Sequence, residues 1–521
     1  MTAGFFTLLV VVGLLVYGDF GITWDEPGIH KYGNLLVDHY APGGAWEDFW
    51  IFRFYGPVVA VLTAFVDRLT PSPAAGYRGS HLLYFFVFVG GVFAFYKLCS
   101  RQFASWRWGL FGAALLVASP RVFSHAFVNS KDTPLMTSFI VAVYLLVRYL
   151  ETRRPKWLAL CGVATAVAID IRIVGVSLVA LAPAAVLVDA ACATEKRWRG
   201  AAGAVATYVA TTVPATILLW PFLWQNPIGR LLETFRLMAF FNTGPPATLY
   251  LSEPVPVTET PWHYVPVWMG ITTPIPYLVI AFVGLATIAG RVGRRRGASA
   301  RSTERYFLVY TAWLVVPLLV IIGKNSALYD EWRQVQFLYP AFLMFAVAGA
   351  KWMYETAGSG WRRRPSGTST SGSGNRPIQV VLVVAAAVSI GWTGYRMAGL
   401  HPYEGLYFNA LVGEAGGAQG RFELDYWGLS YKEGLEFLLS TAPGIVRINQ
   451  CFDGGPASAN TQLFSKRDRE RLRFVDAGEA EFGICAPARM PPDAYLPEYQ
   501  TVFSVSRDGA TFLFVKRLSN S

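Results

Sequence analysis

The sequence predicts a polytopic all-α membrane protein of about eleven transmembrane helices, with a small α/β domain beyond the last of them. Three observations predict it. Charged residues make up 15% and hydrophobic ones 53% of the 521 residues, whereas soluble domains carry roughly a quarter charged residues. Apolar runs close to the length that crosses a bilayer recur along the chain. Lys and Arg gather in short clusters between those runs, so the net charge of +11 forms no single basic face and argues against a nucleic-acid partner.

The apolar runs lie near residues 3–18, 81–98, 108–120, 134–150, 157–170, 173–190, 201–220, 276–291, 306–322, 337–355 and 378–396. Eleven spans put five basic clusters on one side: Lys97, Arg101 and Arg107; Arg153, Arg154 and Lys156; Lys196, Arg197 and Arg199; Arg294, Arg295 and Arg296; Arg362, Arg363 and Arg364. Under the positive-inside rule that side is the cytoplasm. The N-terminus is then expected inside and the C-terminal tail outside. Phe5 to Tyr17 has no basic flank before it and no small-residue cleavage site after it, so a retained first span is expected.

This count divides the chain into a transmembrane module, 1–400, and an outside region, 401–521, with a small globular domain from about 431. The module carries long outer loops at 19–80 and 221–274 and short ones at 121–132 and 324–333. Residues 357–377, rich in Gly and Ser, read as a flexible cytoplasmic linker. In the tail, Ile445–Asn449, Thr501–Val505 and Thr511–Lys516 have strand character, and Arg507-Asp508-Gly509 signals a hairpin turn. Cys99, Cys161 and Cys192 lie in or beside apolar runs and read as small buried residues. Cys451 and Cys485 are the tail's only cysteines and are candidates for a disulfide outside the cytoplasm, with two unrelated thiols as the alternative.

Chemistry concentrates in three outer stretches. Asp25 and Glu26 follow the first span directly, and partial desolvation there is expected to raise a carboxylate's pKa toward that of a working base. A helix start, with Pro27 at the first position and Asp25 or Glu26 as cap, is the competing reading. Arg121, His125, Asn129, Lys131 and Asp132 crowd a second stretch, a density that is expensive beside a bilayer and suggests function. Lys324, Tyr329, Asp330 and Arg333 mark the third. Lys324 and Arg333 run against the positive-inside trend, which a bound phosphate would explain, and Arg172 is a weaker candidate for the same role. Trp46, Phe49, Trp50, Phe52, Phe54 and Tyr55 read as an interfacial helix or as sugar-stacking walls. His30, His125, His263 and His401 fall outside, but with no metal-binding spacing they read as satisfied polar groups. No metal or other cofactor is expected, and a divalent cation is not excluded.

Trp24-Asp25-Glu26-Pro27 and the His125-to-Asp132 stretch resemble the two acidic motifs of the GT-C glycosyltransferases. The nearest likeness is to the protein O-mannosyltransferase-like branch (glycosyltransferase family 39) and its bacterial relatives. Pro261-Trp262-His263-Tyr264, Ile271-Thr272-Thr273-Pro274, Tyr329-Asp330-Glu331-Trp332-Arg333, His401-Pro402-Tyr403-Glu404 with Tyr407-Phe408-Asn409, and Asp425-Tyr426-Trp427-Gly428 are similar to that branch too. The resemblance implies a GT-C-like fold in a bacterial inner (plasma) membrane. It implies inverting transfer from a polyprenyl-phosphate sugar to an acceptor outside, which would be a glycan, a lipid or a protein.

By position, Asp25 matches the family's base or acceptor-orienting residue, Glu26 its neighbour and Asp132 the second acidic position. Arg333, Lys324 and Arg172 would hold the donor phosphate. His30, His125, Lys131, Trp262, His263, Tyr329 and Asp330 would line the sugar and acceptor. The chain lacks a β-trefoil (MIR) insert, which weighs against a protein acceptor and leaves the tail as the acceptor-selecting candidate. A transporter or lipid flippase, and a polysaccharide polymerase or ligase using a diphosphate donor, are the competing readings.

Overall fold

In the computed structural model of the chain, residues 1–38, 52–193, 198–239, 245–294, 302–359, 376–451, 455–486, 496 and 498–518 are described. The helices in chain order are α1 (Thr2–Val16), α2 (Glu26–Asp38), α3 (Val58–Leu69), α4 (Pro73–Gln102), α5 (Trp106–Val117), α6 (Pro120–Val128), α7 (Asp132–Thr152) and α8 (Pro155–Ile171). They continue with α9 (Ser177–Ala191), α10 (Trp198–Leu219), α11 (Pro227–Ala239), α12 (Tyr264–Thr272), α13 (Ile275–Arg294), α14 (Ser302–Gly323), α15 (Tyr339–Ser359) and α16 (Arg376–Leu400). Each of the eleven apolar runs is a helix. Seven helical segments among the described residues are long and apolar enough to span a membrane, and eight if the bent pair α5–α6 counts as one.

That pair corrects the reading of 121–132 as a loop. Pro120 starts a new helix, which turns 71° from α5 and is buried along its whole length. The described residues of 19–80 also hold helices: α2, α3 and the first turns of α4, which Ser72 caps by accepting the Ala75 N–H at 3.3 Å ahead of Pro73. Residues 221–274 carry α11, α12 and a hairpin of β1 (Ala247–Tyr250) and β2 (Glu253–Pro256). Short amphipathic helices of this kind lack the apolar length that identifies a span. The 357–377 linker lies largely outside the described residues.

The helices sort by burial. The spanning windows of α7 and of the segment containing α15 are each 78% buried, and that of α16 only 6%, so α7 and α15 form the centre. The exposed side of α16 carries Val380, Val381, Val384, Val388 and Trp392, as expected of a helix facing lipid. Against α15, α13 approaches backbone to backbone, because a Cβ at Gly284 or Gly349 would strike Phe345 O or Ile280 O.

The tail adds α17 (Glu414–Ala418), α18 (Tyr431–Thr441) and α19 (Pro456–Asn460). Its five-stranded sheet is ordered β4-β3-β5-β7-β6, from β3 (Val446–Gln450), β4 (Leu472–Phe474), β5 (Phe482–Cys485), β6 (Tyr499–Arg507) and β7 (Ala510–Leu518). Asp508 and Gly509, both at positive φ, make the β6–β7 turn. Cys451 and Cys485 are joined as a disulfide, with Cα atoms 5.1 Å apart. The domain clamps the start of the chain. Asn460 brackets Ile22 through its N–H and C=O, both at 2.8 Å, and Lys432 Nζ donates to Asp19 O at 2.8 Å.

Candidate active site

The clamp on residues 19–22 and the start of α2 fix where two adjacent carboxylates point. Glu26 Oε2 accepts the Thr23 N–H at 2.7 Å, and its Oε1 lies 2.8 Å from His81 Nε2, with both side chains fully buried. Glu26 therefore starts the helix and faces inward. Asp25, the preceding residue, faces the other way and meets Lys131 Nζ at 2.9 Å. Burial works to raise the Asp25 pKa, but Lys131, Arg333 and Arg172 outweigh it and hold the carboxyl below its ordinary value. The sequence expectation of a raised pKa is thereby corrected: three cations within reach reverse the effect of desolvation.

At the α6–α7 turn, Asn129 Oδ1 accepts the Lys131 and Asp132 N–H groups at 3.1 and 2.7 Å. Capping is thus done by Asn129, and the Asp132 carboxylate is directed to other partners. It meets Arg172 Nε at 2.8 Å, Arg333 Nη1 at 3.3 Å and Asn129 Nδ2 at 2.9 Å. Arg333 sits among aromatic faces, 5.1 Å from the Tyr329 ring, 4.8 Å from Tyr426 and 5.0 Å from Trp427, and it donates to the Tyr426 hydroxyl at 3.3 Å. Asp330 Oδ2 stands 3.8 Å from Arg333 Nη2. The Lys131 ammonium lies over the Tyr55 ring at 4.7 Å, with Arg172 6.0 Å from the same ring.

Asp25, Lys131, Asp132, Arg172, Tyr329, Asp330 and Arg333 are therefore brought together from four parts of the chain. The other candidates are not. Lys324 is exposed at the end of α14, its ammonium over the Phe235 ring at 5.1 Å. His30 Nδ1 pairs with Asp67 at 2.9 Å, and His263 Nδ1 lies 2.7 Å from the Tyr250 hydroxyl. Trp262 is 69% exposed. His125 belongs to a neighbouring cluster, its Nε2 3.0 Å from Glu331 Oε1, and the other Glu331 oxygen pairs with Arg121. Despite its burial, Glu331 is pulled down to about 2 by Arg121 and His125. Asp330 and Glu331 both adopt positive φ, which turns consecutive carboxylates toward Arg333 and Arg121 respectively.

The sequence alone assigns no site role to Tyr426 and Trp427, although the Asp-Tyr-Trp-Gly motif is the signal for them. Tyr55 belongs to the aromatic group expected as an interfacial helix or a stacking wall. Phe54 is instead buried against Phe222 at 5.6 Å, and Trp46, Phe49 and Trp50 lie outside the described residues. Among the described residues no three His, Cys, Asp or Glu side chains gather as metal ligands.

Residues 56–224 match the family model described as dolichyl-phosphate-mannose-protein mannosyltransferase. The apo oligosaccharyltransferase of Archaeoglobus fulgidus shares the fold, with a TM-score of 0.50 at 10% identity over 99% of this chain and 74% of that one. ArnT from Cupriavidus metallidurans, solved bound to undecaprenyl phosphate, has a TM-score of 0.49 at 15% identity over 99% and 98% of the two chains. No curated protein sequence matches the chain. The chain thus has the fold of the Archaeoglobus fulgidus oligosaccharyltransferase, and residues 56–224 carry a likeness to the protein-mannosyltransferase family.

Proposed function

We propose that the protein moves a sugar, with inversion, from a polyprenyl-phosphate donor to an acceptor outside the cytoplasm of a bacterial inner membrane. The supporting observation is the convergence of Lys131, Arg172 and Arg333 with Asp25 and Asp132 at one end of the helix bundle. The family description of residues 56–224, which names a polyprenyl-phosphate sugar, agrees with it.

A sugar on a lipid phosphate already carries a good leaving group, so the site needs a base and fixed positive charge rather than an acid. Asp25 orients an acceptor hydroxyl and takes its proton as the oxygen attacks the anomeric carbon. The C1–O bond breaks on the opposite face, and its electron pair leaves with the phosphate. Arg172 engages Asp132 through Nε, and its two Nη groups are the donors offered to phosphate together with Arg333 and Lys131. Lys131 holds Asp25 ionised but weakly basic. A phosphate that draws Lys131 toward itself raises the basicity of Asp25 when the donor is in place.

The test is release of polyprenyl phosphate from a panel of polyprenyl-phosphate sugars in liposomes, wild type against Asp25→Asn. Release that depends on Asp25 supports the reading and identifies the sugar. No release from any donor, with folded protein and a mixed acceptor extract present, removes it in favour of a diphosphate donor or of transport.

A further inference from the structure

Asp170 is fully buried at the end of α8, two residues before Arg172. A carboxylate in such a place is costly without compensation, and the reaction just described does not use it. Its contacts all go to one short segment. Oδ1 accepts the Val58 N–H at 3.0 Å, and the Asp170 carbonyl accepts the Gly56 N–H at 2.6 Å. Oδ2 has no hydrogen-bond partner and packs where a Cβ on Gly56 would stand, so residue 56 has room for glycine alone. The same segment is tied by Trp220 Nε1 to Arg53 O at 3.1 Å and by the Tyr32 hydroxyl to Tyr55 O at 3.2 Å. The side chain that this anchoring sets in place is Tyr55, whose ring faces Lys131 and Arg172.

We infer that Asp170 is a positioning residue: by clamping residues 56–58 to α8 it holds the Tyr55 ring against Lys131 and Arg172, and so fixes the two cations for the donor phosphate. The inference rests on the phosphate role proposed above. Tyr55 restricts where the two cations can stand, and Asp170 restricts Tyr55. Asp170 also couples this segment to the α8 end from which Arg172 projects, so one carboxylate sets the register of both sides of the phosphate site.

The test compares Asp170→Asn, Asp170→Ala, Gly56→Ala and Asp170→Ala/Gly56→Ala with wild type, reading donor KM, kcat and binding of undecaprenyl phosphate. Asp170→Ala is expected to raise donor KM about tenfold, with kcat and melting temperature little changed. Asp170→Asn, which keeps an acceptor for the Val58 N–H, restores most of the affinity. Gly56→Ala reproduces the defect from the other side of the contact, and the double variant is less than additive because both break one clamp. Unchanged donor KM in Asp170→Ala overturns the inference, as does a fall in melting temperature and kcat at constant KM. If wild type neither turns over any polyprenyl-phosphate sugar nor binds undecaprenyl phosphate, the phosphate reading and this inference fall together. Normal wild-type behaviour with a normal Asp170→Ala removes the inference alone.

Discussion

Two ionic clusters lie at the same end of the helix bundle and draw on the same stretches of sequence, yet they are built differently. In one, Arg121, His125 and Glu331 close on each other. Arg121 adds a bond to Tyr407 O at 3.2 Å and sits over the Phe408 ring at 4.6 Å. In the other, Asp25, Lys131, Asp132, Arg172 and Arg333 are shared among several partners, and about a quarter of the Asp25 side chain stays exposed. Charges that satisfy one another in the interior fix structure, while charges shared among several partners and partly exposed, as Asp25 is, can meet a ligand. Asp25 and Glu26 repeat the contrast within a single dipeptide. One faces Lys131 and stays partly exposed, and the other is sealed against His81.

The contrast breaks first at activity. Asp25→Asn and Arg333→Ala are each expected to lower kcat by about 10²–10³-fold or more, as for loss of one group that meets developing charge, with Asp25→Asn leaving the melting temperature little changed. Unaltered turnover in either variant would move that residue out of the open cluster. The closed cluster should answer in stability instead. Arg121→Ala or Glu331→Ala breaks a buried ion pair and should cost about 3–5 kcal/mol, read as a large fall in melting temperature in detergent.

The pH responses sharpen the same division. Glu331 falls from an ordinary 4.5 to about 2 in the fold. A depressed carboxylate contributes stability that is present above 4.5 and lost as pH falls toward about 2, about 3 kcal/mol in all. The melting temperature of wild type should therefore drop more steeply below pH 4.5 than that of Glu331→Gln. Asp25 also lies below its ordinary value, so it should impose no loss of transfer between pH 8 and 5. Lys131→Met removes the nearest cation and leaves the burial, so the acidic limb of kcat should move to higher pH. The smallest effect belongs to Lys324→Ala, within about 0.5 kcal/mol and with unchanged donor affinity, as for an exposed surface position.

How much of this was legible follows from how local each signal is. A long apolar run announces itself locally, so all eleven runs could be found in the sequence as helices, seven or eight of which among the described residues are long and apolar enough to span a membrane. The 71° bend at Pro120 and the short helices α2, α3, α11 and α12 depend on what they pack against. Asp25 and Asp132 stood out because acidic residues beside apolar runs are rare. Lys131, Arg172 and Arg333 stood out as basic residues, but their pairing did not, because Lys131 turns to Asp25 while the adjacent Asp132 turns to Arg172 and Arg333. Lys324 and Arg333 looked alike as basic residues on the unexpected side. What separates them is the aromatic setting of Arg333, two faces of which come from Tyr426 and Trp427, about ninety residues further on.

That setting has a biosynthetic consequence. Asp25 emerges with the first helix, but the last two walls around Arg333 are translated after α16 has entered the membrane. A ribosome-bound chain that stops before Tyr426 thus carries Asp25, Asp132 and their cations without two of the aromatic faces around Arg333. Nascent chains should be unable to consume lipid-linked sugar, and activity should begin only when the tail folds back onto the bundle.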